Sequence, residues 1–308
     1  MGSGGTLSLA DLRGSRRRRR KEGIIRRAFF AAAALSVVIN VLIVIALFDG
    51  TVDFLGNVQL STLWSEGWFP RRGLFDIKTI VTGTLLVSVV AMAVAAPLGL
   101  GAAIYLSEYA SRRARRRLKP VLEILAGIPS VVMGYFALTW ISPTIMQNLF
   151  GATAFNMGAA GIGVGILITP LVASVAEDAM YAVPGSLREA SYGLGAKKRN
   201  TTMKVVFPAA VSGIVAALIL GLSRAIGETL VVAIAAGATG GSLFTLDVTG
   251  PGQTMTAAMT ALATGSDQVK GASEAFPSLF FVGSLLFFMT LSLNVISERF
   301  VRRVRRKY

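Results

Sequence analysis

Residues 28–48 form a long apolar block, Ala28 to Phe48, with no charged side chain inside it. At about 1.5 Å per residue a helix of that length crosses a hydrocarbon core of about 30 Å. Five further apolar blocks follow: Thr79–Ser107, Pro120–Met146, Ala160–Tyr181, Val205–Ala236 and Phe276–Ile296. A water-soluble core cannot absorb six such blocks in 308 residues. The expected fold class is an all-α integral membrane protein with six transmembrane helices.

The composition excludes several chemistries. There is no cysteine and no histidine. Disulfide scaffolds, thiolate metal sites, the usual zinc sites and a Ser-His-Asp triad are therefore absent. No phosphate loop of the G-x-x-x-x-G-K-[ST] kind occurs, so the chain is not itself a P-loop ATPase. A membrane-embedded enzyme would need clustered nucleophiles or metal ligands at one membrane face, and none is found.

The net charge of +15 suggests nucleic acid until the charges are placed. About 26 of the 31 Lys and Arg fall in the N-terminal tail, the second and fourth connectors and the C-terminal tail. The three alternate connectors hold about four. Positive charge is thus consumed by topology, both termini are expected in the cytoplasm, and nucleic acid is not a partner. The expected organisation is a basic tail (1–27), a first span (28–48), an external connector (49–78), a five-span core (79–300) and a basic tail (301–308). The run Arg16–Lys21 reads as a collar attracted to anionic membrane lipid, with a nucleic-acid arm as the alternative. Trp64, Trp68 and Phe69 suit a membrane–water interface, and Glu177 and Asp178 read as interfacial. The connector 237–275 reads as a Gly- and Thr-rich loop.

The segment Ser186–Val232 carries most of the functional signal. Ser186-Leu187-Arg188-Glu189 fits a capping box, which predicts a short helix over about 187–195. Gly195 stands where a left-handed glycine would close it. Glu189 lies near its N-terminus, and Lys197 and Lys198 follow on the cytoplasmic side.

Glu189-Ala190-Ser191, Gly195, Val205 and Phe207-Pro208 resemble, in type and spacing, the EAA motif of ABC-importer permeases. Ser, Val and Phe replace the family's second Ala, Ile and Leu. The resemblance implies a type I permease fold and a coupling helix, carried here by Ser186, Glu189, Ala190, Gly195, Lys197 and Lys198. It also implies a separate cytoplasmic ATPase dimer that binds the ATP and magnesium, leaving no cofactor in this chain. Ala103–Tyr109, Ala126–Val132 and Ser223–Thr229 resemble the phosphate (Pst-type) importer permeases, and Gly227–Val232 is more similar to the C-type than the A-type subunit. That resemblance implies a second permease subunit in a heterodimer and an extracytoplasmic phosphate-binding protein. A permease for sulfate or molybdate, or the A-type subunit, is the alternative.

Arg224 is the one Lys or Arg left inside a span. An arginine at a helix centre costs about 2.5–3.5 kcal/mol on insertion scales and cannot escape by losing its proton. Glu228, four residues on, is the expected partner if the helix is continuous. The pair reads either as a static lock between helices or as an anion site, since a guanidinium offers paired donors to an oxyanion. Glu228 would then also accept the proton of a phosphate. Ser223, Thr229 and Ser130 are candidate hydroxyl donors; hydroxyls in membrane helices also bond back to their own helix.

Overall fold

A computed structural model describes residues 16–237, 241–265 and 274–305. Part of the expected basic tails, residues 1–15 and 306–308, lies outside the described residues. Ten helices are used below: α1 (Arg16–Asn57), α2 (Ile77–Ile104), α3 (Arg112–Ala126), α4 (Ser130–Phe150), α5 (Met157–Tyr181), α6 (Gly185–Gly193), α7 (Lys198–Ile226), α8 (Leu230–Ala235), α9 (Met255–Ala263) and α10 (Ser278–Arg305). Among the described residues, five helices are long and apolar enough to cross a membrane, or six if α3 and α4 form one bent span.

The chain divides into two units, residues 1–49 and 50–308. In the first, α1 presents exposed apolar side chains, Phe29, Leu35 and Ile45 among them. In the second, α1 continues to Asn57, and Phe54 is fully buried against Phe75 and Phe281.

At the centre, α5 packs closely along α2, glycines of each helix receiving valine side chains of the other. A Cβ on Gly161 would press on Val90, one on Gly165 on the Ala91 carbonyl and Val94, and one on Gly99 on Val172. Small residues let membrane helices approach this closely, and dispersion then replaces the hydrophobic drive that lipid cannot supply. Pro170 lies inside α5, which stays one helix from Met157 to Tyr181.

Two other apolar blocks are interrupted. The third apolar block does not form one straight span: α3 stops at Gly127–Pro129, and α4 leaves at 87°. Pro129 has extended backbone (ψ 134°), which a helix cannot pass through. The fifth block breaks too. α7 ends at Ile226, and α8 starts at Leu230.

Two aromatic and loop expectations need correction. Trp64 is exposed, but Trp68 is fully buried edge-on to Phe75 and belongs to the core, not the interface. Trp68 sits on β1 (Gly67–Phe69) of a small antiparallel sheet with β2 (Leu74–Phe75) and β3 (Ser242–Leu243). The connector 237–275 is not simply a loop. It contains α9, whose Met255, Ala258 and Leu262 are buried. Thr254 caps α9 through the Ala257 amide, and the Met255 amide donates to Thr84 of α2 at 3.0 Å. The approach requires Gly83, because a Cβ there would overlap the Gln253 carbonyl oxygen. Gly83→Ala should therefore lower stability by about 1–3 kcal/mol, as overpacking against backbone does. Thermal unfolding of the purified chain in detergent checks this; an unchanged Tm would refute the contact.

Candidate functional site

Two regions gather the singled-out residues: the face carrying the basic connectors, and a layer at mid-height of α5.

On the basic face, α6 begins at Gly185 and not near Leu187. The expected capping box does not form. Pro184 is the residue before the helix, and no side chain caps it. Proline fixes the entry dihedral and its extended ψ of 136° turns the chain in, so Ser186 falls inside the first turn, where it cannot act as a cap. At the other end Gly195 has φ +75°. The Gly195 amide donates to the Tyr192 carbonyl (2.9 Å) and the Ala196 amide to the Ser191 carbonyl (3.1 Å), the double bond pattern of a Schellman closure. The Ser191 hydroxyl is 2.9 Å from that of Thr201. The closed helix exposes Leu187, Glu189, Ala190, Tyr192 and Leu194, the last 89% exposed. Lys197 is exposed just before α7, and Lys198 stands over the Tyr109 ring at 5.1 Å.

Arg188, on the inner side of α6, was not singled out by its sequence position. Its Nη2 reaches Glu108 Oε1 at 2.8 Å and its Nε the same oxygen at 3.2 Å. Nη1 donates to the Val183 carbonyl (2.6 Å) and Nη2 to that of Met180 (2.9 Å). One guanidinium thus satisfies carbonyls at the end of α5 and holds the turn after α2, where the Glu108 side chain is 4% exposed. The two residues are 80 positions apart, so no local pattern announces them.

Glu177 also differs from expectation. It is fully buried, with Arg115 and Lys119 of α3 closed over it; Asp178 is the exposed member of the pair. Lys119 donates to Glu177 at 3.0 Å and to Asp178 at 3.1 Å. The bond to Glu177 raises the ammonium pKa above the usual lysine value. Its stabilisation is therefore intact at neutral pH and is lost only as pH rises through that raised value. The two cations on α3 stand four residues apart, one turn, which is the signal that points back to a buried carboxylate.

The second layer is located by packing. Gly221 of α7 rests on Val172 of α5, and Val231 of α8 rests on Gly163. Arg224 and the break after Ile226 lie between these levels, at the middle of α5. The other break lies there as well: Ala126 shares a cavity of about 190 Å³ with Pro170 and Leu171. A Cβ on Gly134 would meet the Leu230 carbonyl and Val231 Cα at 3.1 Å, so α4 and α8 touch through backbone just beyond Ser130 and Thr229.

The expected Arg224–Glu228 pair is not formed. α7 ends between them, so Glu228 is no longer one turn above Arg224. Arg224 is exposed and Glu228 is buried, and among the described residues no ion pair joins them. The Glu228 carbonyl accepts from Thr256 at 2.8 Å, which ties the break to α9. Ser223 reaches Asn294 of α10 at 3.3 Å, and Thr229 reaches back to the Gly227 carbonyl at 3.3 Å. Ser130 is half-buried at the start of α4.

Comparison with known proteins agrees with this architecture. Residues 95–307 match the family model of binding-protein-dependent transport system inner membrane components. The chain is 30% identical over 280 residues to the phosphate transport system permease protein PstC of Pasteurella multocida, covering 84% of each. It is 37% identical over 194 residues to the probable ABC transporter permease protein YqgH of Bacillus subtilis, covering 62% of this chain and 63% of that protein. Among solved structures, a bacterial alginate ABC transporter in complex with an alginate pentasaccharide-bound periplasmic protein aligns with a TM-score of 0.59 at 15% identity, covering 92% and 97%. The inward-facing MetNI methionine ABC transporter aligns with a TM-score of 0.51 at 20% identity, covering 72% and 91%. The fold is that of ABC-importer permeases.

Proposed function

The chain belongs to the family of binding-protein-dependent transport system inner membrane components, and we propose that it is the C-type permease subunit of an ATP-driven phosphate importer. It forms half of a translocation pathway, with a second permease subunit supplying the rest. The face carrying α6 is cytoplasmic, and both termini lie on that side. ATP and magnesium are bound by a separate ATPase dimer, and an extracytoplasmic binding protein delivers phosphate.

The observation that carries this reading is α6 itself. It is a rigidly closed helix with an exposed apolar and acidic surface, anchored by Arg188 to the ends of α5 and α2. An anchored helix of that kind transmits a push from a docked protein into the membrane, which a free loop cannot do. Glu189→Arg reverses the charge on its outer surface and should weaken ATPase retention at least about tenfold. Co-purification of the ATPase with the variant checks this; full retention would remove the socket.

Arg224 is the candidate anion ligand. It stands at mid-membrane height and no carboxylate among the described residues pairs with it, so its compensation comes from outside. A phosphate held by a guanidinium and by hydroxyls of Ser223, Thr229 and Ser130 supplies it. Glu228, at the break, accepts a hydrogen bond from the proton that phosphate carries and sulfate lacks at neutral pH. Glu228→Gln should shift the phosphate-over-sulfate preference in competition uptake; unchanged selectivity would count against that role.

A further inference from the structure

From the hollows beside α3, we infer a binding site for an anionic phospholipid whose headgroup end lies on the basic face. The first hollow, of about 540 Å³, is lined by Arg112, Arg115, Arg116, Lys119, Glu123 and Tyr181. Its cations are unequally committed. Arg115 is engaged by Glu177 and lies 4.0 Å from the Tyr181 ring centre, and Lys119 is engaged by Glu177 and Asp178. Arg112 and Arg116 make no ion pair among the described residues. They are one helical turn apart, so both guanidiniums face the same hollow, with Glu123 the one carboxylate on its wall. Two arginines against one acid suit a phosphate monoester or diester.

The second hollow decides between a free anion and a lipid. The cavity of about 190 Å³ shares Lys119 and Glu123 with the first and continues along Leu122, Ala126, Pro170 and Leu171, with Ser174 and the cation-held Glu177 also on its wall. A cationic mouth leading into a cleft walled mainly by apolar side chains, whose Glu177 is neutralised by Arg115 and Lys119, matches a headgroup followed by an acyl chain. A free phosphate would use the mouth alone. Leu118, Val121, Ile124 and Leu125 of α3 are also exposed, so the helix offers apolar surface beside its arginines, as helices at the headgroup boundary do. Because Lys119 and Glu177 join α3 to α5, an occupied cleft would brace the break at Gly127–Pro129. The inference does not depend on the substrate being phosphate.

The test is lipid binding to the purified full-length chain in detergent, using fluorescent phosphatidylglycerol and phosphatidylcholine. The wild type should prefer phosphatidylglycerol by about tenfold or more, since each basic residue at an anionic headgroup contributes appreciably. The exposed double variant R112Q/R116Q should lose that preference and keep its thermal stability. Ala126→Trp, which fills the apolar cleft, should weaken phosphatidylglycerol binding with both arginines in place. Equal binding of the two lipids by wild type, or an unchanged preference in the double variant, overturns the site. Displacement of phosphatidylglycerol by millimolar inorganic phosphate, with no effect of Ala126→Trp, would overturn the lipid and assign the mouth to a free anion.

Discussion

Arg188→Gln should uncouple the transporter, reducing ATP-driven uptake at least about tenfold while ATP hydrolysis by the bound partner continues. The variant leaves the Glu108 carboxylate buried with its cation removed and takes the guanidinium from the Val183 carbonyl and from that of Met180, which keeps only the Val183 amide at 3.3 Å. Removing one partner of a buried ion pair costs about 3–5 kcal/mol, because the remaining charge stays desolvated. The cheapest relief is local: α6 separates from α2 and α5, and its movement no longer reaches the spans. The double variant Arg188→Gln/Glu108→Gln removes the stranded charge and should recover part of the stability. Uptake should stay low in it, since the charge-assisted link remains absent. The pair of readouts separates coupling from folding: recovery of Tm without recovery of uptake supports the link, and full uptake in either variant refutes it.

Arg224→Gln should abolish uptake, by on the order of 100-fold, with the ATPase still bound. Hydrogen bonds to a charged group contribute about 1.5–3 kcal/mol each, and a guanidinium makes two to one oxyanion. Glutamine keeps a polar donor but is shorter and removes the charge. Arg224 is exposed, and no ion pair of its own chain depends on it among the described residues, so Tm should change little. Had the arginine been a static lock to Glu228, the same variant would lower Tm and leave uptake of surviving protein near normal. Comparing Tm with uptake rate separates the two outcomes.

Much of the fold was legible because lipid imposes a plain code: long uncharged blocks and alternating basic connectors are written locally. The left-handed Gly195 was legible for the same reason, since a helix closure uses residues three to five apart. Features set by distant contacts were not. The Arg188–Glu108 bridge joins residues on different helices, and Glu177 is buried by two cations on α3. Trp68 reads as interfacial until β1 turns it inward, and α9 is held in place by Gly83 and Thr84 of α2. The candidate residues lie around the helix breaks, and the geometry expected at one point did not form. Pairing Arg224 with Glu228 assumed a continuous helix, whereas α7 stops at Ile226. Gly227 next to an acidic residue and a threonine was the available hint, because glycine and β-branched residues weaken a helix without fixing where it stops.

The most direct measurement of the central claim is labelled phosphate uptake into proteoliposomes that hold the complex with its ATPase, with the binding protein outside and ATP inside. The account predicts accumulation that requires ATP and is competed by unlabelled phosphate but not by equal sulfate. Accumulation of sulfate in place of phosphate, or phosphate entry that does not depend on ATP, would contradict it.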